Sequence, residues 1–372
     1  MPIKPSEVIG EGSYGCIHKP SLICKDNKKV SYKHKISKLL LTENAISELK
    51  EYMLISESDK KNEYFLGVPD LCKVKPTEIA IKSIQKCRKL TKKNNNKTIT
   101  KNQLKKYSVL VMKYGGMDLE KVGLEFGKMA ATETNRNKAK TFWKETMRLL
   151  TGLLTFQKHD IVHFDLKPQN IVYDKKTGRL NFIDFGHMRK ITDSITNCRS
   201  SRNGLTESAF WNYPFEIQFL NQDQFLSTAQ LNGDERNNWF LQFVSNTKTH
   251  AKDDFTIAFD TFMDMFTENM NPEEKMRIDE LYKTDFLKTL NEQIMIEDYD
   301  FFVEKSIKTI DLYGLGLALQ YMLNYTSHLL PMDFIKKISE LCYLMTTPDL
   351  SKRYTVEEAA DNLQSALSIL SL

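Results

Sequence analysis

Two short polar motifs that follow one another closely in the chain restrict its fold and chemistry more than any other feature. The first is His-Phe-Asp-Leu-Lys-Pro-Gln-Asn at 163–170, and the second is Asp-Phe-Gly at 184–186. Between them, strand-like runs at 171–173 and 180–183 flank a turn at 175–178. A strand, a turn and a second strand return the chain to its starting point, so the spacing predicts that both motifs belong to one site.

The residues of these motifs are those that phosphoryl transfer requires. Asp165 offers a carboxylate that can orient an attacking hydroxyl, Lys167 a cation for the moving phosphate, and Asn170 an amide oxygen for a metal ion. Asp184 ends a strand-like run, where its carboxylate can be offered to Mg²⁺ beside the phosphates. For one motif alone, a loop whose Asp and Asn cap local backbone is the alternative. The pair favours catalytic residues Asp165 and Lys167 with metal ligands Asn170 and Asp184.

A glycine-rich segment near the N-terminus has the spacing of a phosphate-binding loop. Residues 10–15 read Gly-Glu-Gly-Ser-Tyr-Gly between two strand-like runs. Glycine lets the backbone approach phosphates closely and present N–H groups to them. The same spacing opens dinucleotide-binding domains, where a helix follows, but Pro20 favours a hairpin here. We expect nucleotide contacts from this hairpin at Ile9, Gly10, Gly12, Ser13, Tyr14, Gly15 and Ile17.

Together, residues 10–17, 163–170 and 184–186 resemble the signature motifs of eukaryotic-type protein kinases. The resemblance continues along most of the chain. The stretch 213–216 resembles the end of the activation loop, 311–316 the start of the central C-lobe helix, and 348–355 the late segment whose Arg353 would pair with Glu216. The hinge-like stretch 112–119 resembles haspin and vaccinia-related kinases in style. Overall, and including residues 12–22, the chain is similar to serine/threonine kinases of large DNA viruses.

The resemblance implies an α+β fold of two lobes in a single kinase domain. A small β-rich N-lobe with one main helix would cover 1–112, a hinge 113–116, and a large, mainly helical C-lobe 117–372. The implied activity is transfer of the γ-phosphate of Mg–ATP to Ser or Thr of protein substrates, with Lys167 suited to a short hydroxyl. Ile36 would line the adenine roof, and Met112 and Tyr114 would contact the nucleotide from the hinge.

Two pairs of alternatives remain open in the N-terminal part. Lys38 and Lys33 are both candidates for the lysine that holds ATP, and Ile36 beside Lys38 favours the former. The carboxylate partner of this lysine should lie on the following helix, where Glu48 is preferred over Glu51. Exposed surface charges are the alternative for each of these residues.

Charge is unevenly distributed along the chain. Residues 86–106 carry nine Lys or Arg and no acid, and we interpret them as a solvated loop rather than a nucleic-acid contact. Residues 217–308 carry eighteen acids against nine bases. Two apolar stripes with helical spacing in this stretch predict a structured insertion in the C-lobe. The first stripe consists of Phe255, Ala258, Phe259, Phe262 and Phe266, and the second of Ile278, Leu281, Tyr282, Phe286 and Leu290. We prefer to interpret this insertion as a packing element rather than as a docking surface. If it does dock protein substrates, its negative charge would favour basic ones.

Three further expectations concern regulation, compartment and class. Phe164 replaces an arginine that binds an activation-loop phosphate in many kinases, so we expect activity without that phosphorylation. Six scattered cysteines without Cys-x-x-Cys pairs indicate reduced thiols. Because the sequence shows neither a secretory signal nor a membrane span, we expect a cytoplasmic protein, in the host cell or the virion if the chain is viral. We expect a monomer that acts on protein substrates and binds neither a membrane nor nucleic acid. A kinase-like scaffold and a small-molecule phosphotransferase are the competing functions.

Overall fold

The computed structural model describes residues 6–12, 15–25, 30–88, 100–200, 211–245, 254–295 and 298–370. They belong to two compact units. The first comprises Met1–Gly116 together with Ile183–Gly186, and the second comprises Met117–Phe182 and His187–Leu372. The first is built on a β-sheet and the second is mostly helical, which confirms the α+β kinase-type fold predicted from the sequence.

The first unit contains a five-stranded antiparallel sheet with the strand order β1-β2-β3-β5-β4. The strands are β1 (Glu7–Glu11), β2 (Gly15–Lys19), β3 (Lys35–Leu41), β4 (Asp70–Cys72) and β5 (Tyr107–Lys113). Helix α1 (Thr42–Ser58) follows β3 directly, and α2 (Glu78–Gln85) follows β4. Leu41 is the N-terminal cap residue of α1, and the Thr42 hydroxyl donates to the Lys106 carbonyl oxygen.

Alternating side chains of the central strands supply both faces of this sheet. Leu39 belongs to the core that includes residues of α2, whereas Leu40 and Leu110 pack with Ala45 of α1. Successive residues of a strand point to opposite faces, so a strand covered on both sides is apolar throughout. The run Lys-Leu-Leu at 38–40 follows this rule, with Lys38 as its one charged member.

All four cysteines of the first unit form disulfides, Cys16 with Cys87 and Cys24 with Cys72. The interpretation of these cysteines as reduced thiols was therefore wrong. The partners are 71 and 48 residues apart in the chain, and only the folded sheet brings them together. Cys198 and Cys342, in the second unit, are buried.

The second unit combines short strands with helices. Its strands are β6 (Met117–Asp118), β7 (Ile161–Val162), β8 (Ile171–Asp174), β9 (Arg179–Phe182) and β10 (Arg189–Lys190). Its helices outside the acidic stretch are α3 (Leu119–Gly127), α4 (Glu133–Glu145), α5 (Met147–Lys158), α6 (Ile191–Arg199), α11 (Tyr299–Thr326), α12 (Met332–Thr346) and α13 (Val356–Ile369). Every residue of α11 from Ile310 to Leu323 is buried, which makes this helix the centre of the unit.

The acidic stretch contributes α7 (Gln222–Ala229), α8 (Gly233–Ser245), α9 (Asp254–Phe266) and α10 (Pro272–Glu292). Asn271 and Glu274 form a capping box at the start of α10. Of the second predicted stripe, Leu281 is half-buried and four residues are buried: Ile278, Tyr282, Phe286 and Leu290. Of the first, Phe262 and Phe266 are buried, and the side chains of Phe255, Ala258 and Phe259 lie outside the described residues. The insertion is thus helical and packed.

No helix in the described parts of either unit is both long and apolar enough to cross a membrane.

Replacing Cys24 and Cys72 together by serine should lower the free energy of unfolding by about 2–4 kcal/mol, because the bridge restricts a long loop of the unfolded chain. Urea unfolding of the variant and of the wild type measures this difference. In dithiothreitol the difference should shrink strongly, since the wild type then lacks the bridge as well. An equal difference with and without reductant would contradict a crosslink between these two residues.

Candidate active site

Lys38 is the centre of a buried ion cluster in the first unit. Its ammonium lies 2.9 Å from a Glu48 carboxylate oxygen and 2.7 Å from Asp184 Oδ1. Burial by itself would lower the pKa of Lys38, but the charges of Asp184 and Glu48 outweigh it and hold that pKa above its ordinary value. Lys33 lies before β3 and is exposed, so it takes no part in this cluster.

Helix α1 aligns two residues that face this cluster. Glu48 and Tyr52 are four residues apart and share one side of the helix. Tyr52 contacts Phe185 edge-on, with 5.3 Å between ring centroids, and Phe65 contacts Phe185 from another side at 6.1 Å. The fully buried Phe185 therefore holds the residue after Asp184 against α1. Asp184 itself adopts a left-handed backbone conformation (φ 62°), which is uncommon for a residue other than glycine.

Glu51 lies three residues after Glu48 on α1 and makes no ion pair with Lys38. Burial, followed by the charge of Glu48, raises the pKa of Glu51 to about 7. Its Oε2 is buried and has no hydrogen-bond partner among the described residues. The structure therefore brings Glu48, and not Glu51, to the lysine.

The glycine segment forms the tight hairpin between β1 and β2. The Gly12 amide donates to the Gly15 carbonyl oxygen at 2.9 Å. A Cβ atom on Gly15 would lie 1.9 Å from the Leu39 carbonyl oxygen, so no other residue fits where β2 passes β3. Ile9 lies at an irregularity of β1, and Gly10 faces Ile17 across the hairpin. Ser13 and Tyr14, also predicted to contact the nucleotide, lie outside the described residues.

The three remaining residues that were predicted to contact the nucleotide lie in or next to strands of the same sheet. Ile36 and Met112 are paired across β3 and β5. The Tyr114 amide donates to the His34 carbonyl oxygen at 3.0 Å, and the Lys19 ammonium lies 3.4 Å from the centre of the Tyr114 ring. Ile17 is opposite Lys38 on the neighbouring strand. The apolar residues predicted to contact the nucleotide and the lysine therefore lie in neighbouring positions of one sheet.

In the second unit, Asp165 is held by several donors at once. The Lys167 ammonium lies 2.8 Å and 2.9 Å from its two carboxylate oxygens, and the Asn170 amide donates to Oδ2 at 2.8 Å. The same amide nitrogen donates to the Asp165 carbonyl oxygen at 2.7 Å. The three polar residues predicted from the first motif are therefore assembled around one carboxylate.

The Asp311 side chain fixes the backbone at the start of the predicted catalytic loop, residues 163–170. Its Oδ2 accepts the His163 amide at 2.6 Å, and its Oδ1 accepts the Phe164 amide at 2.9 Å. Burial raises the pKa of the Asp311 carboxyl, while the two amide hydrogen bonds act in the opposite direction. Because α11 carries Asp311, the most buried helix of the unit sets the position of the loop.

Phe164 is buried and has a left-handed backbone (φ 65°). The Tyr213 ring meets it edge-on at 5.5 Å, and the Arg189 guanidinium lies 4.7 Å from its centre. Both neighbours come from the stretch between Asp184 and Glu216. The phenyl ring thus contacts both ends of that stretch through packing. An arginine at this position would need an anionic partner instead.

Glu216 and Arg353 form a fully buried ion pair, as the resemblance implied. The Arg353 Nη2 lies 3.0 Å from Glu216 Oε2, and its Nη1 contacts Oε1 of the same carboxylate. Arg353 also donates through Nε to the Thr347 carbonyl oxygen at 2.8 Å. The pair ties the segment after Tyr213 to the region before α13.

The donor set fits a hard divalent cation and phosphate. The Asn170 amide nitrogen donates both of its hydrogen bonds to Asp165, which directs the amide oxygen, a ligand type that Mg²⁺ accepts, away from that carboxylate. The Asp184 side chain remains 40% exposed beside Lys38 and is reachable from solvent. Each of these two oxygens, Asn170 in the second unit and Asp184 in the first, is thus of a type that Mg²⁺ accepts, and the Lys38 ammonium is of a type that binds phosphate oxygens.

In a comparison with known protein families, the family model described as the protein kinase domain matches residues 3–206, which are more than half of the chain. The chain therefore belongs to the protein kinase family. The matched region includes the glycine hairpin, Lys38, the catalytic-loop motif and Asp184.

Two relatives match shorter segments. A protein of Caenorhabditis elegans named as a serine/threonine-protein kinase is 41% identical over 46 residues, which are 12% of this chain and 13% of the relative. A protein of Drosophila melanogaster named as a non-specific serine/threonine protein kinase is 38% identical over 53 residues, or 14% and 8% of the two chains. The chain thus matches only a small part of each relative's length.

Replacing Glu51 by glutamine should stabilise the fold above neutral pH. The folded-state pKa of about 7 exceeds the ordinary 4.5, so the wild type loses stability as the pH rises through this interval, and the variant does not. Because Glu51 is half-exposed, we expect about 1 kcal/mol at pH 8 rather than the full value of the shift.

Denaturant unfolding at pH 5 and pH 8 measures this effect. Glu57→Gln, an exposed change on the same helix, is the matched control and should behave alike at both values. A Glu51→Gln advantage that is the same at pH 5 and pH 8 would show that Glu51 does not titrate in this interval.

Proposed function

We propose that this protein kinase domain is an active, Mg–ATP-dependent serine/threonine kinase. The observation that carries the proposal is the ion cluster of Lys38, Glu48 and Asp184. An ion pair between the sheet lysine and a helix glutamate, with the metal-binding aspartate in place, is the arrangement that kinase catalysis requires. A kinase-like scaffold without catalysis is disfavoured because Lys38, Asp165, Asn170 and Asp184 are all present.

The mechanism relies on positioning and charge. Lys38 would bind the α- and β-phosphate oxygens, and the backbone of the glycine hairpin would cover the phosphates. Asn170 and Asp184 would hold Mg²⁺, which neutralises charge that develops on the phosphates. Asp165 would accept the hydrogen bond of the incoming hydroxyl and orient its oxygen, and Lys167 would stabilise the transferred group.

The acceptor is proposed to be Ser or Thr of a protein. Lys167 lies directly at the Asp165 carboxylate, which suits a short hydroxyl that must reach both groups. The buried Glu216–Arg353 pair supports a protein substrate over a small-molecule acceptor, because the resemblance assigns this pair to the protein-substrate platform. The acidic insertion at 217–308 further favours basic proteins as substrates.

Incubation with Mg–ATP and basic proteins should give phosphoserine and phosphothreonine, mapped by mass spectrometry. Asp165→Asn and Asp184→Ala should each reduce transfer by at least about 100-fold, because one orients the hydroxyl and the other holds the metal. Lys337→Ala, an exposed change on α12, is the control. Transfer to sugars, choline or aminoglycosides instead of proteins would contradict the proposed acceptor, and transfer that survives Asp184→Ala would contradict the proposed site.

We also propose that the kinase is competent without activation-loop phosphorylation. Phe164 stands where a phosphate-binding arginine would be, and its ring contacts Tyr213 and Arg189 by packing and a cation–π interaction. These contacts anchor both ends of the activation segment without a phosphate.

Phosphatase-treated protein should therefore retain at least half of its initial rate. Intact mass before the assay verifies that the Ser and Thr residues of 187–212 are unmodified, and an assay at limiting time measures the rate before autophosphorylation accumulates. Recovery of activity only after phosphate returns to this stretch would refute the proposal.

Origin and location remain predictions. The similarity to kinases of large DNA viruses is inferred from the chain overall, including residues 12–22, and a cytoplasmic or virion location is proposed with it. The two disulfides are unusual for a reducing cytosol. Rapid alkylation of thiols in intact cells, followed by mass spectrometry of Cys16 and Cys24, would distinguish a reducing from an oxidising location.

A further inference from the structure

Asn212 contacts the same carboxylate as the catalytic-loop residues, although neither sequence motif contains it. Its Nδ2 donates to Asp165 Oδ1 at 3.0 Å and to the Leu166 carbonyl oxygen at 3.3 Å. Asn212 is only 2% exposed. It lies four residues before Glu216, so it belongs to the end of the activation segment rather than to the catalytic loop.

The direction of the Asn212 amide is set by its neighbours. Asp165 Oδ1 and the Leu166 carbonyl oxygen are both acceptors, so a reversed amide would place an oxygen against two oxygens. In the observed direction, the Asn212 Oδ1 is buried and accepts no hydrogen bond from the described residues. An unsatisfied buried acceptor costs about 1–3 kcal/mol. The contact with Asp165 is made in spite of that cost.

The Asp165 carboxylate is saturated by these donors. A carboxylate has about four acceptor positions. Lys167 occupies one on each oxygen, Asn170 one on Oδ2 and Asn212 one on Oδ1. A substrate hydroxyl can therefore approach only if one of the donors withdraws.

The three donors differ in how readily they can withdraw. Asn170 and Asn212 are 5% and 2% exposed and each also donates to a backbone carbonyl oxygen. The Lys167 side chain is 25% exposed, and it has a long flexible stem that can turn toward a phosphate. The lysine is the exchangeable donor, and the two amides are the fixed ones.

We propose that Asn212 is a positioning residue that, with Asn170, clamps the Asp165 carboxylate from both oxygens while Lys167 moves to the transferred phosphate. The activation segment thereby completes the catalytic loop through a neutral amide. This inference rests on the proposed kinase activity and adds a residue to it. Asn212 would act on the orientation of the incoming hydroxyl and not on nucleotide binding.

Asn212→Leu keeps the approximate shape of the side chain and removes the donor. We expect kcat to fall roughly 10- to 100-fold, as a misplaced orienting group does, with the KM for ATP and the affinity for ADP unchanged. The kcat of Asn212→Asp should fall by at least the same factor, because this change places a second carboxylate against Asp165. Asn324→Leu removes a half-buried amide that donates to the Phe266 carbonyl oxygen in the same unit, and it should leave kcat unchanged.

A double-mutant cycle with Asp165→Asn separates positioning from general loss of structure. If Asn212 acts through Asp165, then Asn212→Leu should have little further effect on the residual rate of Asp165→Asn, measured with radiolabelled ATP. Thermal unfolding of each variant verifies that it is folded. An equal loss in both backgrounds would overturn the inference, as would an unchanged kcat in Asn212→Leu. A wild type without protein phosphorylation would overturn the proposed function and this inference together.

Discussion

The arrangement of the second unit depends on one buried carboxylate. Asp311 accepts the backbone amides of His163 and Phe164 from the middle of α11, the most buried helix of that unit. These two bonds hold the chain in a left-handed conformation at Phe164 that a phenylalanine rarely adopts. A buried carboxylate is costly unless backbone donors satisfy it, so the helix and the loop stabilise each other.

The same logic appears in the first unit with the charges reversed. Lys38 is a buried cation in an apolar strand, and it is tolerated because Glu48 and Asp184 surround it. The helix that supplies Glu48 also supplies Tyr52, which holds Phe185 next to Asp184. A displacement of α1 would therefore disturb both Lys38 and Asp184, the aspartate that we propose binds the metal ion.

Phe164 and Asn212 both make contacts between the activation segment and the catalytic loop. One uses a buried ring against Tyr213 and Arg189, and the other uses a neutral amide against Asp165. Neither contact needs a phosphate. The helices α9 and α10 of the acidic stretch extend this packing, since Phe262, Tyr282 and Phe286 surround Phe215 in the segment just before Glu216. The insertion thus supports the segment in addition to carrying negative charge.

The sequence alone determined the motif residues, because Asp165, Lys167, Asn170 and Asp184 are defined by residue type and local spacing. It also indicated the glycine hairpin and the helical insertion, which follow from local periodicity. It did not determine which lysine or glutamate meets Asp184, since that depends on where β3 begins and which side of α1 faces the sheet. The disulfides and Asn212 depend on contacts between residues far apart in the chain, 48 and 71 residues for the bridges and 47 for Asn212 and Asp165. Such contacts leave no local pattern, so only the tertiary structure decided them.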